Sequence, residues 1–285
     1  YGQNIFNLEG IQSFINLEYL ECSYNQLTEL SLNYNNNLIE LYCSANQLTE
    51  LDFSENLNLN TLVCTINILV SLNVTQNIGL ELLSCGSNDL NYLDVTNNVN
   101  LEIFECGDNL LTSLDVTQNP SLEKLFCYHN QIVNIDVSQN PNLIDLRCFE
   151  NELTSLNVKN GNNINMTQMF AYDNPNLICI LLDDETATYP TCNPNPPYSG
   201  WCKDDWAEYS EDCELGIEDK NLINFTIYPN PAQDVLNIES QLPIEKVKIY
   251  NLQGQLINPS TTLRNLEDSK SRVDVSQLNT GLYFV

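Results

Sequence analysis

Apolar residues recur along the first half of the chain with a fixed period of 21 residues. The repeating unit carries apolar residues at Leu17, Leu20, Cys22 and Leu27, with a polar residue at Asn25. The first position returns as Leu38, Leu59, Leu80, Leu101, Leu122 and Leu143. Seven copies without an insertion are not a chance pattern, and a fixed period of this length predicts a solenoid with one turn per copy.

Each copy contains two short stretches in which apolar and polar residues alternate. The first copy has Leu20-Glu-Cys22 in its first half and Leu30-Ser-Leu32 in its second half. Alternation with a period of two is typical of strands with one buried face. We therefore expect two parallel sheets, one from each half of the repeat, packed face to face, with little or no helix.

Two columns of identical residue type accompany this pattern. The first-half cysteine recurs as Cys22, Cys43, Cys64, Cys85, Cys106, Cys127 and Cys148. The cysteines are spaced along a line, whereas metal ligands converge on one point, so we expect buried, reduced thiols. Asparagines recur in both halves, at Asn25 and Asn35 of the first copy, and should bond the backbone groups of neighbouring turns.

The spacing LxxLxCxxNxL resembles that of bacterial leucine-rich-repeat proteins over residues 1–182. Residues 1–16 precede the first copy and carry apolar residues three apart, at Ile5, Leu8, Ile11 and Phe14, leading into Leu17. That spacing suits a tight helical turn, and we interpret it as a half-repeat that caps the open end of the solenoid.

The repeats end in a segment rich in Pro and Asp that holds four further cysteines. These are Cys179, Cys192, Cys202 and Cys213, and four cysteines allow three pairings. Such a cluster favours an oxidising, extracytoplasmic location. The family resemblance implies the pairs Cys179–Cys213 and Cys192–Cys202, so residues 183–213 should form a disulfide-stapled C-terminal cap, followed by a polar linker at 214–221.

Residues 222–285 contain short alternating strands separated by Pro, Gly and Asn, which predict a small β-sandwich. The segments YPNPA, VKIYNLQG and DVSQLNTGLYFV occur in this order. Together they resemble the C-terminal sorting domain of type IX secretion. The resemblance implies export across the outer membrane and an interaction with the secretion machinery. Family members usually continue for one more strand, so we expect the domain to be truncated at its end.

The chain carries 38 acidic and 10 basic residues, a formal net charge of −28. A surface this acidic repels phosphate backbones and anionic lipid, so we expect neither nucleic-acid nor membrane-surface binding. No apolar run approaches the roughly 18 residues of a membrane span. We find no conventional catalytic motif and expect no enzyme activity, no cofactor and no metal site, although composition alone does not exclude a pair of glycosidase carboxylates.

Large aromatic residues accumulate on the outward positions of the last three first-half strands. Basic residues, otherwise rare in the repeats, occur beside them. The resulting aromatic–basic patch consists of Lys124, Phe126, Tyr128, His129, Arg147, Phe149, Phe170 and Tyr172. Exposed aromatics with a few donors suit sugar rings or the side chains of a protein partner. The alternative is that these aromatics pack beneath the C-terminal cap or against the sandwich domain.

Together these features predict an all-β protein, a leucine-rich-repeat solenoid followed by a small β-sandwich domain. The leading hypothesis for function is a secreted or cell-surface binding or adhesion protein without catalysis, with an unknown extracellular glycan or protein as ligand. The alternatives are a polysaccharide-active or other secreted enzyme with an unrecognised site, and a structural component of a surface layer.

Overall fold

The computed structural model describes residues 2–193 and 199–213, and in the C-terminal part 225–228, 234–240, 249–251, 256–257, 270–276, 278 and 283–284. The chain divides into two compact units, Tyr1–Cys213 and Glu214–Val285. The linker expected at 214–221 and the end of the sorting domain lie outside the described residues.

The first unit is built from short strands, one or two per repeat. They are β1 (Tyr19–Glu21), β2 (Glu40–Tyr42), β3 (Thr61–Val63), β4 (Leu82–Ser84), β5 (Ile103–Glu105), β6 (Lys124–Phe126), β7 (Asn134–Asp136), β8 (Asp145–Arg147), β9 (Ser155–Asn157), β10 (Gln168–Phe170), β11 (Cys179–Leu181), β12 (Gly200–Cys202) and β13 (Glu208–Ser210). Two three-residue 3-10 helices, Ile11–Ser13 and Asn163–Asn165, complete the unit.

The first halves of the repeats form one parallel sheet of nine strands, in the order β1-β2-β3-β4-β5-β6-β8-β10-β12. Its register follows the sequence period, because Leu41 pairs with Leu62 and Leu62 pairs with Leu83. Equivalent residues of successive repeats therefore stand side by side, about 4.8 Å apart. This register places the outward residues of the sheet in straight columns.

The second halves form a sheet only toward the C-terminal end of the solenoid. Four parallel strands lie in the order β13-β11-β9-β7, beginning at Asn134. The expectation of a second sheet along all the repeats is therefore wrong for the earlier turns. Within residues 2–130 the backbone bond between second halves is made at their entry, as from Gln47 N to Leu27 O (2.8 Å), and no strand follows it. Alternation correctly indicated which side chains are buried, but it does not report backbone pairing.

Leucines, valines and the cysteine column fill the space between the two halves as one continuous core. Cys43, Cys64, Cys85, Cys106, Cys127 and Cys148 are fully buried, and Cys22 nearly so. All seven are free thiols. Burial raises the pKa of Cys64 and of Cys127 to about 12. The predicted column of inert, reduced thiols is confirmed.

The first asparagine column bonds successive turns as predicted. Asn109 is representative: its Nδ2 donates to the carbonyl oxygens of Cys85 (3.2 Å), Cys106 (3.0 Å) and Gly107 (3.2 Å). Its Oδ1 accepts from the backbone N–H of Leu90 (3.0 Å). One side chain thus pairs backbone groups of three segments, which fixes the turn that follows each first-half strand.

The turn that the first asparagine column fixes has an unusual backbone. The third residue of each Cys-x-x-Asn turn has a φ between 49° and 57°, in the left-handed region, although none of these residues is glycine. They are Tyr24, Ala45, Ile66, Ser87, Asp108, His129, Glu150 and Asp173. The left-handed conformation disfavours side chains with a Cβ, so it persists where surrounding bonds over-determine it.

The second asparagine column is bonded less completely. Asn98 donates from Nδ2 to the carbonyl oxygens of Val74 (3.1 Å) and Asn77 (2.8 Å). Its Oδ1 has no protein partner among the described residues, and the same holds for Asn35, Asn56, Asn119 and Asn140. This column links neighbouring turns through its donors alone.

Both ends of the solenoid are covered. At the N-terminal end Leu8 and Ile11 pack against the core around the first 3-10 helix, while Phe14, which the spacing placed with them, is exposed. At the C-terminal end β12 and β13 add one further strand to each sheet. Trp201 of β12 is buried and donates from Nε1 to the carbonyl oxygen of Met166 (2.9 Å).

Two disulfides hold the C-terminal cap, Cys179–Cys213 and Cys192–Cys202, which are the pairs that the resemblance implied. The eighth repeat is two residues longer than the others, with the second 3-10 helix inside it. Asn174 nevertheless continues the asparagine column, since its Nδ2 donates to Cys148 O (3.1 Å) and Ala171 O (3.0 Å).

The second unit contains two three-stranded antiparallel sheets. Its strands are β14 (Phe225–Tyr228), β15 (Val235–Ser240), β16 (Ile249–Asn251), β17 (Leu256–Ile257), β18 (Lys270–Asp274) and β19 (Tyr283–Phe284). The sheets have the orders β14-β15-β18 and β17-β16-β19. Ile249 of one sheet is buried in the same cluster as Leu236, Ile238 and Val273 of the other, which is the core of a small sandwich.

Candidate functional site

The outward face of the nine-stranded sheet changes character along its length. At the position after each cysteine, the small residues Ser23, Ser44, Thr65, Gly86 and Gly107 are followed by the rings of the last three copies. We call Tyr128, Phe149 and Tyr172 the aromatic ladder. All three are half-buried rather than covered, so the cap does not enclose them.

The rings of the aromatic ladder are stacked on one another. The ring centroids of Tyr128 and Phe149 are 4.9 Å apart with planes inclined by 3°, and those of Phe149 and Tyr172 are 4.9 Å apart at 10°. The ring of Tyr128 in turn lies over Gly107, where a Cβ would stand 2.7 Å from its Cζ atom. The faces between these rungs are therefore closed, and the ladder shows its ring edges to solvent.

A second column of the patch is held together by an arginine. The guanidinium carbon of Arg147 lies 4.3 Å from the ring centroid of Phe126 and 5.6 Å from that of Phe170. Arg147 also donates from Nε and Nη2 to the carboxylate of Asp145 (3.1 and 2.9 Å), and from Nη2 to Oε1 of Gln168 (3.1 Å). These contacts assign Arg147 to the packing of the sheet face.

Phe170 does not belong to the accessible surface. Only 5 % of this residue is exposed, although the sequence pattern placed it in the outward patch. The physical reason is that β12 of the cap pairs with β10, which sets Phe170 beside Cys202 instead of at an open edge. Lys124 and Phe126, on β6, are half-buried. The patch is thus narrower than the sequence predicted.

His129 lies beside the aromatic ladder and joins three turns. Its Nδ1 is 2.7 Å from Oδ1 of Asp108, and its Nε2 is 2.8 Å from Oε2 of Glu150. The imidazole also meets the rings of Tyr128 and Phe149 edge-on, with centroids 5.5 Å away in both cases. Partial desolvation lowers the pKa of His129, but the hydrogen bonds and charges of Glu150 and Asp108 outweigh it, so the pKa is raised.

Sequence reasoning missed these carboxylates. Asp108, His129, Glu150 and Asp173 occupy equivalent turn positions of four consecutive repeats, and we call them the charged column. The signal was present, because the first three stand 21 residues apart. It was overlooked because attention went to the strands, whereas these residues belong to the left-handed turns next to them.

The second-half face offers one shallow cleft of about 160 Å³, lined by Tyr92, Leu93, Asp94, Thr96, Ser113 and Asp115. Its carboxylates serve the local turns: Oδ1 of Asp94 accepts from the backbone N–H (3.0 Å) and hydroxyl (2.7 Å) of Thr96. These bonds lower the pKa of Asp94, the side-chain bond contributing most. A glycosidase acid needs a raised pKa, so the pair has the chemistry of turn residues.

Within the described parts of the chain, no group of three or more His, Cys, Asp or Glu side chains converges as a metal site would. The acids of the cap instead anchor the backbone. Asp204, for example, accepts from the N–H groups of Asp173 (3.0 Å) and Asn174 (2.9 Å). Among the described residues, no helix is long and apolar enough to cross a membrane.

Solved structures with the same architecture come from bacteria. Internalin C2 of Listeria monocytogenes is 24 % identical with a TM-score of 0.55, and the match covers 60 % of this chain and 78 % of that one. A leucine-rich-repeat protein of Leptospira interrogans is 24 % identical with a TM-score of 0.52, covering 61 % of this chain and 56 % of its own. The first unit is a leucine-rich-repeat solenoid.

The functional domain of InlJ from Listeria monocytogenes, described as including a cysteine ladder, is 28 % identical with a TM-score of 0.47. The match covers 62 % of this chain and 51 % of that chain, so the present chain spans about half of that protein. No curated protein matches the chain.

The C-terminal unit is matched by a family model. Residues 226–285 fit the secretion system C-terminal sorting domain. This match agrees with the three sequence segments that indicated type IX secretion. The sorting domain marks the leucine-rich-repeat protein as a type IX cargo, exported to the extracellular space or the cell surface.

Proposed function

We propose that this protein is a secreted or cell-surface binding protein, an adhesin or receptor without catalysis. Its ligand surface is the accessible part of the aromatic–basic patch, centred on the aromatic ladder. The sorting domain places the solenoid outside the cell, and the described residues contain no assembled catalytic group that would give it a reaction to perform.

The observation that carries this proposal is the exposure of the aromatic ladder. Three large rings lie half-buried at the end of a sheet face whose other rungs carry small residues at the same position. Aromatic side chains are enriched in the energetic centres of interfaces, because they bury much area with little loss of conformational freedom. A purely structural face has no need of three rings that stay in contact with water.

The proposal is tested by presenting the full chain to arrays of glycans and of extracellular proteins, beside Phe149→Ala. Loss of one interaction on substitution, with binding of the parent chain and no turnover of the ligand, is the expected result. A matched control is Tyr92→Ala, because Tyr92 is 65 % exposed on the opposite half of the repeat. Binding that survives Phe149→Ala would remove the ladder from the ligand surface.

A further inference from the structure

We propose that the partner of the aromatic ladder is a basic polypeptide segment, whose lysine or arginine side chains lie along the charged column. This inference rests on the proposed function and names the chemistry of its ligand. Four features of the described residues support it: closed ring faces, the sign of the adjacent charge, the accessibility of that charge, and the way the same sheet already holds a cation.

The closed ring faces argue against a sugar as the partner. A sugar binds an aromatic side chain by laying its apolar C–H face on the flat face of the ring. In the ladder the faces of Phe149 are occupied by Tyr128 and Tyr172 at 4.9 Å, and Tyr128 lies over Gly107. What solvent meets is a strip of ring edges. Ring edges carry partial positive charge, which suits the carbonyl oxygens and apolar side chains of a polypeptide.

The charge beside the ladder is negative. The charged column contains three carboxylates and one imidazole, so its net charge is −2 even when His129 is protonated. Arg147 does not compensate for it, because its guanidinium is already paired with Asp145 at 2.9 Å. The complementary partner is therefore cationic. The repeats as a whole are strongly acidic, which would steer such a partner toward this surface.

The carboxylates of the charged column remain accessible although they contact His129. The side chains of Asp108 and Glu150 are 43 % and 49 % exposed, and Asp173 is exposed as well. Their positions are also well defined, because each belongs to a left-handed turn that the asparagine column holds. A partner with cations at matching positions would find this row already ordered, which lowers the entropic cost of binding.

Arg147 shows how this sheet face accommodates a cation. Its guanidinium lies near two rings and donates two hydrogen bonds to the carboxylate of Asp145. The aromatic ladder and the charged column offer the same combination of rings and carboxylates one step toward the turn. An arginine or lysine from a partner would be held there by the same types of contact.

The test measures the affinity of the full chain for three synthetic peptides. They share their apolar residues and differ in having Arg, Gln or Glu at the remaining positions. We expect the Arg peptide to bind, with an affinity that falls severalfold between about 0.05 M and 0.3 M NaCl. The Gln and Glu peptides should bind about tenfold more weakly or not at all.

Two substitutions test where the Arg peptide binds. Phe149→Ala should weaken its binding about tenfold, as should the double change Glu150→Gln with Asp173→Asn. The matched controls are Tyr92→Ala and the double change Glu29→Gln with Glu50→Gln, which removes the same charge from exposed positions elsewhere. The controls should change the affinity less than twofold, and melting curves verify that every variant is folded.

The outcomes separate this inference from the proposed function. Equal binding of the three peptides, or equal loss in the column variant and its charge control, overturns the basic partner. If the arrays instead yield a glycan whose binding depends on Phe149, the binding function holds and the polypeptide partner is wrong. If array binding is indifferent to Phe149, both the located site and this inference fail.

Discussion

The solenoid contains two kinds of ladder with the same spacing, one inside and one outside. The inner cysteine and asparagine columns are complete from the first repeat to the seventh, dry, and bonded to the backbone of neighbouring turns. The outer aromatic ladder covers three turns, faces solvent in part, and bonds no backbone. The difference indicates that the inner columns build the fold, whereas the aromatic ladder is an addition that the fold tolerates.

This division makes different predictions for the two ladders. Changes to the inner columns should alter stability and chemical reactivity throughout the solenoid. Changes to the aromatic ladder should alter binding and leave the stability almost unchanged. The predictions below test that contrast, beginning with the largest effect.

The largest effect concerns the thiols. Burial raises the pKa of the ladder cysteines, to about 12 for Cys64, so the reactive thiolate is scarce at pH 8. We expect no labelling by an alkylating reagent in the native protein, and a rate at least about a thousandfold below that of an open thiol. In denaturant seven cysteines should react, and eleven after reduction. Nine or more cysteines blocked before reduction would show that the column is bridged.

The next effect distinguishes the two asparagine columns. Asn109→Ala removes three donated bonds and leaves Leu90 N–H unpaired, so it should cost about 2–3 kcal/mol in the free energy of unfolding. Asn98→Ala removes two donated bonds and leaves no donor behind, so about 1–2 kcal/mol is expected. Urea melts measure both, with the exposed Asn91→Ala as a control that should cost under about 0.5 kcal/mol. An equal loss in all three would refute the ladder.

Much of this organisation was predictable from the sequence, because every inner position repeats and each repetition strengthens the same inference. The period revealed the turns, and the cysteine and asparagine columns revealed what packs and bonds between them. The capping turn at Ile11–Ser13 was also visible in a three-residue spacing. The disulfide pairs and the sorting domain came from resemblance rather than from spacing.

What escaped prediction depends on contacts between copies that do not repeat. Phe170 looked exposed by its position, but the strand that buries its surroundings comes from the cap, 32 residues further along the chain. The mutual stacking of the aromatic ladder depends on ring orientation, which alternation does not specify. The missing early strands of the second sheet show the same limit, since burial and backbone pairing are separate properties.

A smaller effect is expected from the aromatic ladder. Phe149→Ala removes a ring stacked on two others but partly in water, so we expect a loss of about 1 kcal/mol, clearly less than for Asn109→Ala. Binding should nevertheless suffer more than in any inner variant that stays folded. A loss well above 2 kcal/mol would mean that the ring belongs to the core, and the contrast between inner and outer ladders would fall.

The smallest effect is the contribution of His129 to stability as a function of pH. Because the folded-state pKa is raised above the ordinary value, the protonated form is favoured by folding. The stabilisation is therefore fully present below the unfolded pKa of about 6.5 and is lost as pH rises through the folded pKa. The melting temperature of the parent chain relative to His129→Gln should be higher at pH 5.5 than at pH 9 by a few degrees at most, because the three side chains are largely exposed. The same comparison in a Glu150→Gln background should show a smaller difference, since one of the two carboxylates that favour the charged imidazole is gone. A difference of the opposite sign would show that desolvation prevails over the carboxylates. In that case the column beside the aromatic ladder would hold a neutral histidine and would be more negative than its contacts indicate.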